Sequence, residues 1–365
     1  MSLPTTERLL LGPGPSPVSP RVMRALGAPM RSHLDPDLIA VMDDLRARLA
    51  RVFRAGPGNL TFAVSGTGTS GMETAVANVT KSSAKVLVIV TGYFGDRLAQ
   101  MFERYGAQVT RLDVAWGQAV DPAAVERALA ASPADIVGFV HGETSTGVRN
   151  PAADLARIAM AHGALTVVDA VTSLGAVPLD VAGWGIDVCY ACSQKGLGAP
   201  SGMAPVTFSA NALARRVPCR SFYLDVGLLQ QYWIERKYHH TISAPLIYSL
   251  HAALEEVEEE ELEARWSRHV HTHRALVDGL SARGWSLLPA EADRLFSLNA
   301  VNVPAGVNDA AARVALRDRH QIEIGAGLGP LAGKIWRVGL MGSGATAANV
   351  ARLLAALDDV AKPGA

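Results

Sequence analysis

Ile186-Asp-Val-Cys-Tyr-Ala-Cys-Ser-Gln-Lys195-Gly196 is an apolar run that ends on a lysine, and shortly before it Leu165-Thr-Val-Val-Asp169 is another that ends on a carboxylate. Short, β-branched runs of this kind read as buried parallel strands, and groups at the carboxyl ends of such strands stand where ligands collect in open α/β sheets. Upstream the same alternation continues. Leu60–Val64 precedes a helical pattern over Gly71–Val79, Lys85–Val90 precedes Gly95–Tyr105, and Asp135–His141 precedes Leu155–His162. Strands alternating with helices predict an α/β fold with a mostly parallel sheet between helices.

The flanks differ from this centre. Residues 1–20 hold five prolines, which resist both helix and ladder and predict an extended N-terminal arm lying across another surface, such as a partner subunit. Residues 21–250 form the expected large domain. Beyond it Glu255–Glu263 carries seven glutamates, read as a solvated helix face. A long helix to about Gly284, short strands near Leu295–Val303 and Ile335–Val338 and a terminal helix over Val350–Val360 make residues 251–365 a smaller α+β domain. A chain of 365 residues exceeds the roughly 250–300 at which single cores stop growing.

Composition excludes several functions. Hydrophobic residues at 49% and charged residues at 19% belong to a globular protein rather than a disordered one. The 34 basic and 34 acidic residues cancel, so there is no field to steer the chain onto nucleic acid or an anionic membrane. No apolar run near 18 residues and no secretory leader occur, and the C-terminal Lys362-Pro-Gly-Ala is no retention signal, so a cytoplasmic location is expected. Three cysteines exclude a disulfide scaffold. Cys189 and Cys192 spell C-x-x-C, but without a second pair or spaced histidines the reading is two buried, reduced thiols and no metal site.

Gly66-Thr-Gly68-Thr-Ser-Gly71 follows one strand and opens a helix, which matches the dinucleotide fingerprint G-x-G-x-x-G. That fingerprint also needs a carboxylate at the end of the next strand for the ribose, and here Lys85–Val90 ends in Thr91-Gly92. What remains is a helix N-terminus with free N–H groups and the hydroxyls of Thr67 and Thr69, a site for one phosphate. Lys195 is costly to bury unless neutral, paired or covalently used, and desolvation favours the neutral amine that condenses with an aldehyde. Taken alone, Asp169 reads equally as a cap or a structural acceptor. Read together, a phosphate site, an aldehyde-binding amine and an anion for a pyridinium nitrogen are the three anchors of pyridoxal 5′-phosphate (PLP).

Further motifs stand in order along the chain: Leu11-Gly-Pro-Gly-Pro, Ser65-Gly-Thr-Gly-Thr, His141-Gly-Glu-Thr-Ser-Thr-Gly-Val, Val168-Asp-Ala-Val, Ser193-Gln-Lys, Tyr238-His-His-Thr, and Gly327-Leu-Gly-Pro followed by Arg337-Val-Gly-Leu-Met-Gly. Over nearly its whole length the chain resembles the class V, fold-type I PLP aminotransferases, most closely the alanine:glyoxylate and serine:pyruvate or serine:glyoxylate enzymes. The resemblance implies that Lys195 carries PLP as a Schiff base and Asp169 keeps its ring nitrogen protonated. It further implies that Thr67, Gly68, Thr69 and Gln194 hold the phosphate, Phe94 lies over the ring and Thr144 touches the ring oxygen. Tyr238 and Thr241 would reach the phosphate of the neighbouring subunit in a homodimer with shared sites, and Arg337, with Gly12 and Thr144, would hold the substrate carboxylate. The chain departs from some relatives at Phe94, where tryptophan is common, and at Thr69, where histidine occurs.

The implied reaction is ping-pong transamination between alanine or serine and glyoxylate or pyruvate. Small substrates are expected because the resemblance supplies one arginine for one carboxylate and no second for a dicarboxylic side chain. The alternatives are another fold-type I PLP reaction, such as a lyase or desulfurase, and a nucleotide-dependent oxidoreductase.

Overall fold

The computed structural model describes residues 5–361, so the first four residues of the arm and the terminal Lys362-Pro-Gly-Ala lie outside the described residues. Seven strands form the central sheet: β1 (Leu60–Ser65), β2 (Lys85–Val90), β3 (Gln108–Asp113), β4 (Ile136–Val140), β5 (Leu165–Asp169), β6 (Val188–Tyr190) and β7 (Met203–Phe208). Their spatial order is β1-β7-β6-β5-β4-β2-β3. The pairs from β6 through β5, β4 and β2 to β3 are parallel, and β7 is antiparallel to both its neighbours. Central strands such as Lys85-Val-Leu-Val-Ile-Val are apolar on both faces because helices cover both sides. The carboxyl ends of β1, β4, β5 and β6 therefore share one edge of the sheet.

Two strands were not legible in the apolar pattern. β3 lies at the edge, where Gln108, Thr110, Arg111 and Asp113 face outward. β7 contains Pro205, which donates nothing to a ladder, yet its carbonyl accepts from the Ala191 N–H at 2.8 Å.

The smaller body packs helices Leu262–Ser281, Asp309–His320 and Ala347–Val360 on an antiparallel sheet of Leu298–Asn302, Ile335–Gly339 and Gly325–Ala326. Its core gathers Leu276, Leu316, Trp336, Val338, Leu353 and Leu357. The expected boundary at 250 needs correcting. Helix Ala244–Glu260 runs through that position, and its Leu250, Leu254 and Val257 belong to the large core. The chain changes bodies at Glu261, whose φ of 65° breaks the helix.

The N-terminal arm docks on its own chain. Leu9–Leu10 pairs in parallel with Ile322–Glu323, Leu11 enters the smaller core, and Ser16 N–H donates to the Gln194 carbonyl at 3.0 Å. The arm thus runs from the smaller body to the loop that carries Lys195. Nor is the glutamate run merely solvated. Glu255 and Glu259 pair with Arg21, Glu258 with Arg48 and Arg51, Glu263 with Arg54, and Glu260 with Arg268 and the buried Arg265. Exposed pairs contribute little singly, but Arg265 also donates to the Gly175 and Gly196 carbonyls at 3.0 and 2.8 Å and so anchors the loop after Lys195. No helix among the described residues is long and apolar enough to cross a membrane.

Candidate active site

The turn after β1 leads into helix α1 (Gly68–Val79), whose N-cap Thr67 makes no side-chain cap bond. Ser70 and Gly71 N–H fold back onto the Thr67 carbonyl at 2.8 and 3.2 Å. Gly68 and Thr69 N–H find no acceptor among the described residues, which leaves the positive end of the helix open. Two glycines make the turn possible. Gly66 sits at φ 144°, and a Cβ on Gly68 would lie 2.8 Å from Val171 Cγ2.

Asp169 ends β5 against this turn. Its Oδ1 accepts from Val171 N–H at 2.8 Å and its Oδ2 from the Tyr190 hydroxyl at 2.9 Å. Burial pushes the carboxyl up to about 7, against the pull of those two donors. Lys195 follows β6, and its Nζ donates to the Pro13 carbonyl of the arm. Gly14 takes φ 110°, a conformation that favours glycine, and a Cβ there would meet the lysine side chain at 2.5 Å. Burial lowers the Lys195 ammonium from its usual range. Gln194, beside it, carries a buried Oε1 without a partner.

Phe94 and Thr144 complete the wall. Phe94 lies in the first turn of α2 (Tyr93–Arg104), and Glu143 seats that turn: its Oε2 accepts from Phe94 and Gly95 N–H, both at 3.1 Å. The Oε1 of Glu143 accepts from Ser145 N–H and Oγ at 3.0 and 2.6 Å. Glu143 is fully buried, which pushes its carboxyl up, while these four donors and the helix N-terminus pull the other way.

Thr67, Gly68, Thr69, Phe94, Thr144, Asp169, Gln194 and Lys195 all line one cavity of about 200 Å³. The other residues singled out in the sequence do not. Arg337, on strand Ile335–Gly339, is 8% exposed, donates from Nε to the Ala326 carbonyl at 2.6 Å, and is lowered by burial to about 10. Gly12 packs where the arm meets that strand, with Gly339 N–H donating to Leu11 O at 2.9 Å. Tyr238 and Thr241 are exposed on the loop before Ala244, and Tyr238 contacts His33 at 5.2 Å between ring centroids. Neither is among the residues that line the cavity.

Residues 14–340 match the family described as Aminotransferase class-V. The chain is a class-V aminotransferase. It is 34% identical over 379 residues to the (S)-ureidoglycine–glyoxylate transaminase of Bacillus subtilis (strain 168), covering 98% of this chain and 91% of that relative. It is 37% identical over 362 residues to the alanine–glyoxylate aminotransferase of Oryctolagus cuniculus, covering 97% and 92%. The crystal structure of the alanine–glyoxylate aminotransferase from Nostoc sp. superposes with a TM-score of 0.96 at 42% identity, over 99% of this chain and 97% of that one. The fold is fold type I, as the sequence resemblance implies.

Three residues of this class-V aminotransferase escaped the sequence reading. Glu143 was visible inside His141-Gly-Glu-Thr, but nothing local says that it reaches α2. Tyr190 looked like one more apolar strand residue. Arg97 lines the cavity, which Arg337 does not. Tyr190→Phe removes one of the two donors to Asp169, and its cost depends on pH. Below pH 7 Asp169 is mainly protonated and loses little; above pH 7 a buried carboxylate loses a charge-assisted bond. The apoprotein is expected to lose about 1–3 kcal/mol at pH 8 and less at pH 5. Urea unfolding at both pH values measures it, and an equal loss at each would rule out this coupling.

Proposed function

We propose that this aminotransferase moves an amino group between alanine or serine and glyoxylate or pyruvate, with PLP as cofactor. Its working form in this reading is a cytoplasmic homodimer in which Tyr238 and Thr241 serve the neighbouring site. The observation that carries the reading is the meeting of three unlike groups in one cavity: the open first turn of α1, the buried carboxyl of Asp169 and the enclosed amine of Lys195. The fit of the cofactor rests on the same cavity. Gly68 keeps clear the space that a Cβ would close, and Gln194 lines the cavity with a side-chain amide whose nitrogen can donate to a phosphate and whose oxygen has no protein partner. PLP, when bound, supplies an aldehyde to the amine and a ring that accepts electrons from the substrate carbon.

The chain's own residues then divide the work. Thr67, Gly68, Thr69 and Gln194 hold the phosphate, and Asp169 holds a proton at the ring nitrogen. Phe94, seated by Glu143, supplies an apolar wall for the ring. Lys195, whose amine burial favours in the neutral form, takes the proton from the substrate's Cα and returns it one position along, as a general base and then acid. Arg337 presents a planar fork to the substrate carboxylate. Support for the compartment comes from Cys189, Cys192 and Cys219, all unpaired. The name of the Bacillus subtilis relative also includes glyoxylate, in keeping with a small 2-oxo acid acceptor.

Two measurements test this. A half-reaction panel follows the visible spectrum while the protein meets each amino acid and then each 2-oxo acid; alanine or serine should lead, and glutamate or aspartate leading both would overturn the small-substrate reading. Arg337→Ala should raise KM for every carboxylate substrate by about 10- to 100-fold, the scale of a lost charged hydrogen bond. A rise confined to one substrate would remove Arg337 from carboxylate recognition.

A further inference from the structure

The phosphate end of the cavity has a charge problem. Thr67, Gly68, Thr69 and Gln194 are neutral donors, and so are Tyr238 and Thr241 of the proposed neighbour. A phosphate close to a dianion, taken out of water by neutral donors alone, is costly to hold. Among the described residues the cavity lining contains two basic side chains, Lys195 and Arg97, and Lys195 is committed to the chemistry.

Arg97 is uncommitted. It sits one turn after Phe94 on α2, half-buried, with its guanidinium 5.1 Å from the Phe94 ring centroid and 5.2 Å from that of Tyr93. Its Nη1 donates to Thr69 Oγ1 at 3.1 Å. Among the described residues no carboxylate pairs with it. Asp96, its neighbour in sequence, is taken by Arg111 at 2.7 Å.

The direction of the Arg97–Thr69 bond matters. A guanidinium has no acceptor, so Thr69 Oγ1 must receive, and the single hydroxyl proton of Thr69 is left to donate elsewhere. Among the described residues no other side chain or carbonyl takes that proton. A hydroxyl that accepts from a cation is a stronger donor to an anion, because bonds in such a chain polarise one another.

We infer that Arg97 is the cation that offsets the cofactor phosphate, acting through the Thr69 hydroxyl as well as by its own charge. This rests on the PLP reading of the site. It assigns to Arg97 a task separate from the substrate carboxylate, so an arginine in the cavity wall leaves the preference for small substrates in place.

The test compares PLP with pyridoxal, which lacks the phosphate, as ligands of the full-length apoprotein, titrated by visible absorbance and tryptophan quenching. Arg97→Met should weaken PLP by at least about tenfold, the lower end of a charged hydrogen bond's worth, and leave pyridoxal within about twofold. Thr69→Val, close in shape, should show the same selective loss and serves if Arg97→Met does not fold. Arg97→Lys, which keeps the charge without the flat guanidinium, should recover most of the discrimination. A parallel loss of both ligands in Arg97→Met would mean that the arginine only props Phe94, and would overturn the inference; unchanged PLP binding would do the same. A wild-type protein that binds neither ligand would instead bring down the cofactor reading, and this inference with it.

Discussion

Lys195→Ala is expected to abolish transamination while leaving the fold in place. In the proposed reading two functions go at once: the amine that anchors the cofactor covalently and the base that carries the substrate proton. A positioned general base alone contributes about 10²–10⁴-fold, so turnover should fall by at least about 10⁴-fold once the anchor is lost too. The fold should survive because the side chain ends in the cavity and touches the arm through one carbonyl, that of Pro13. No buried acid is stranded, since the Asp169 carboxylate keeps its donors from Val171 and Tyr190. Borohydride treatment of the wild type should fix the cofactor on the peptide holding Ser193-Gln-Lys195, found by mass spectrometry, and the variant should carry none. Small primary amines should restore part of the proton transfer in Lys195→Ala. Near-normal turnover without added amine would end the assignment.

The sequence made Lys195 and Asp169 legible for a physical reason. Parallel strands buried on both faces are continuous apolar runs, so the first charged residue after each run marks the carboxyl edge of the sheet. Glycines carried the turn before α1 in the same way: a Cβ at Gly66 or Gly68 would strike Ser70 or Val171. What stayed hidden depends on contacts between distant segments. Glu143 meets Phe94 and Gly95 across 49 and 48 residues, and Arg97 meets Thr69 across 28. Neither pairing leaves a periodic trace. For the arm, proline content reports what a segment cannot form, not which surface it lies on. The boundary at Glu261 was missed because a run of glutamates has high helix propensity on both sides of the break, and the left-handed φ at a glutamate is not announced by any glycine.

Asp169→Asn should keep the cofactor site's shape yet lower kcat by roughly 10²–10³-fold, the scale of losing one preorganised charge aimed at the reacting system. Asn preserves size and a carbonyl for Val171 N–H, and the Tyr190 hydroxyl turns from donor to acceptor. The same substitution has an opposite effect on the empty protein. Burial raises the Asp169 carboxyl from 3.8 to about 7, so the folded state holds its proton more tightly than the unfolded chain does. Its contribution to stability is therefore full below about pH 4 and is lost as pH rises toward 7, where a charge must be kept without water. Asn is neutral throughout. Apo Asp169→Asn should thus have a higher Tm than the apo wild type at pH 8, with the gap narrowing at pH 5 and closing below about pH 4. Adding PLP should reverse the order at pH 8, because the wild-type carboxylate then faces a cation and ligand binding stabilises the folded state by mass action. A Tm gap independent of pH would show that Asp169 is not the titrating group, and full activity in the variant would make it a structural acceptor rather than the partner of the ring nitrogen.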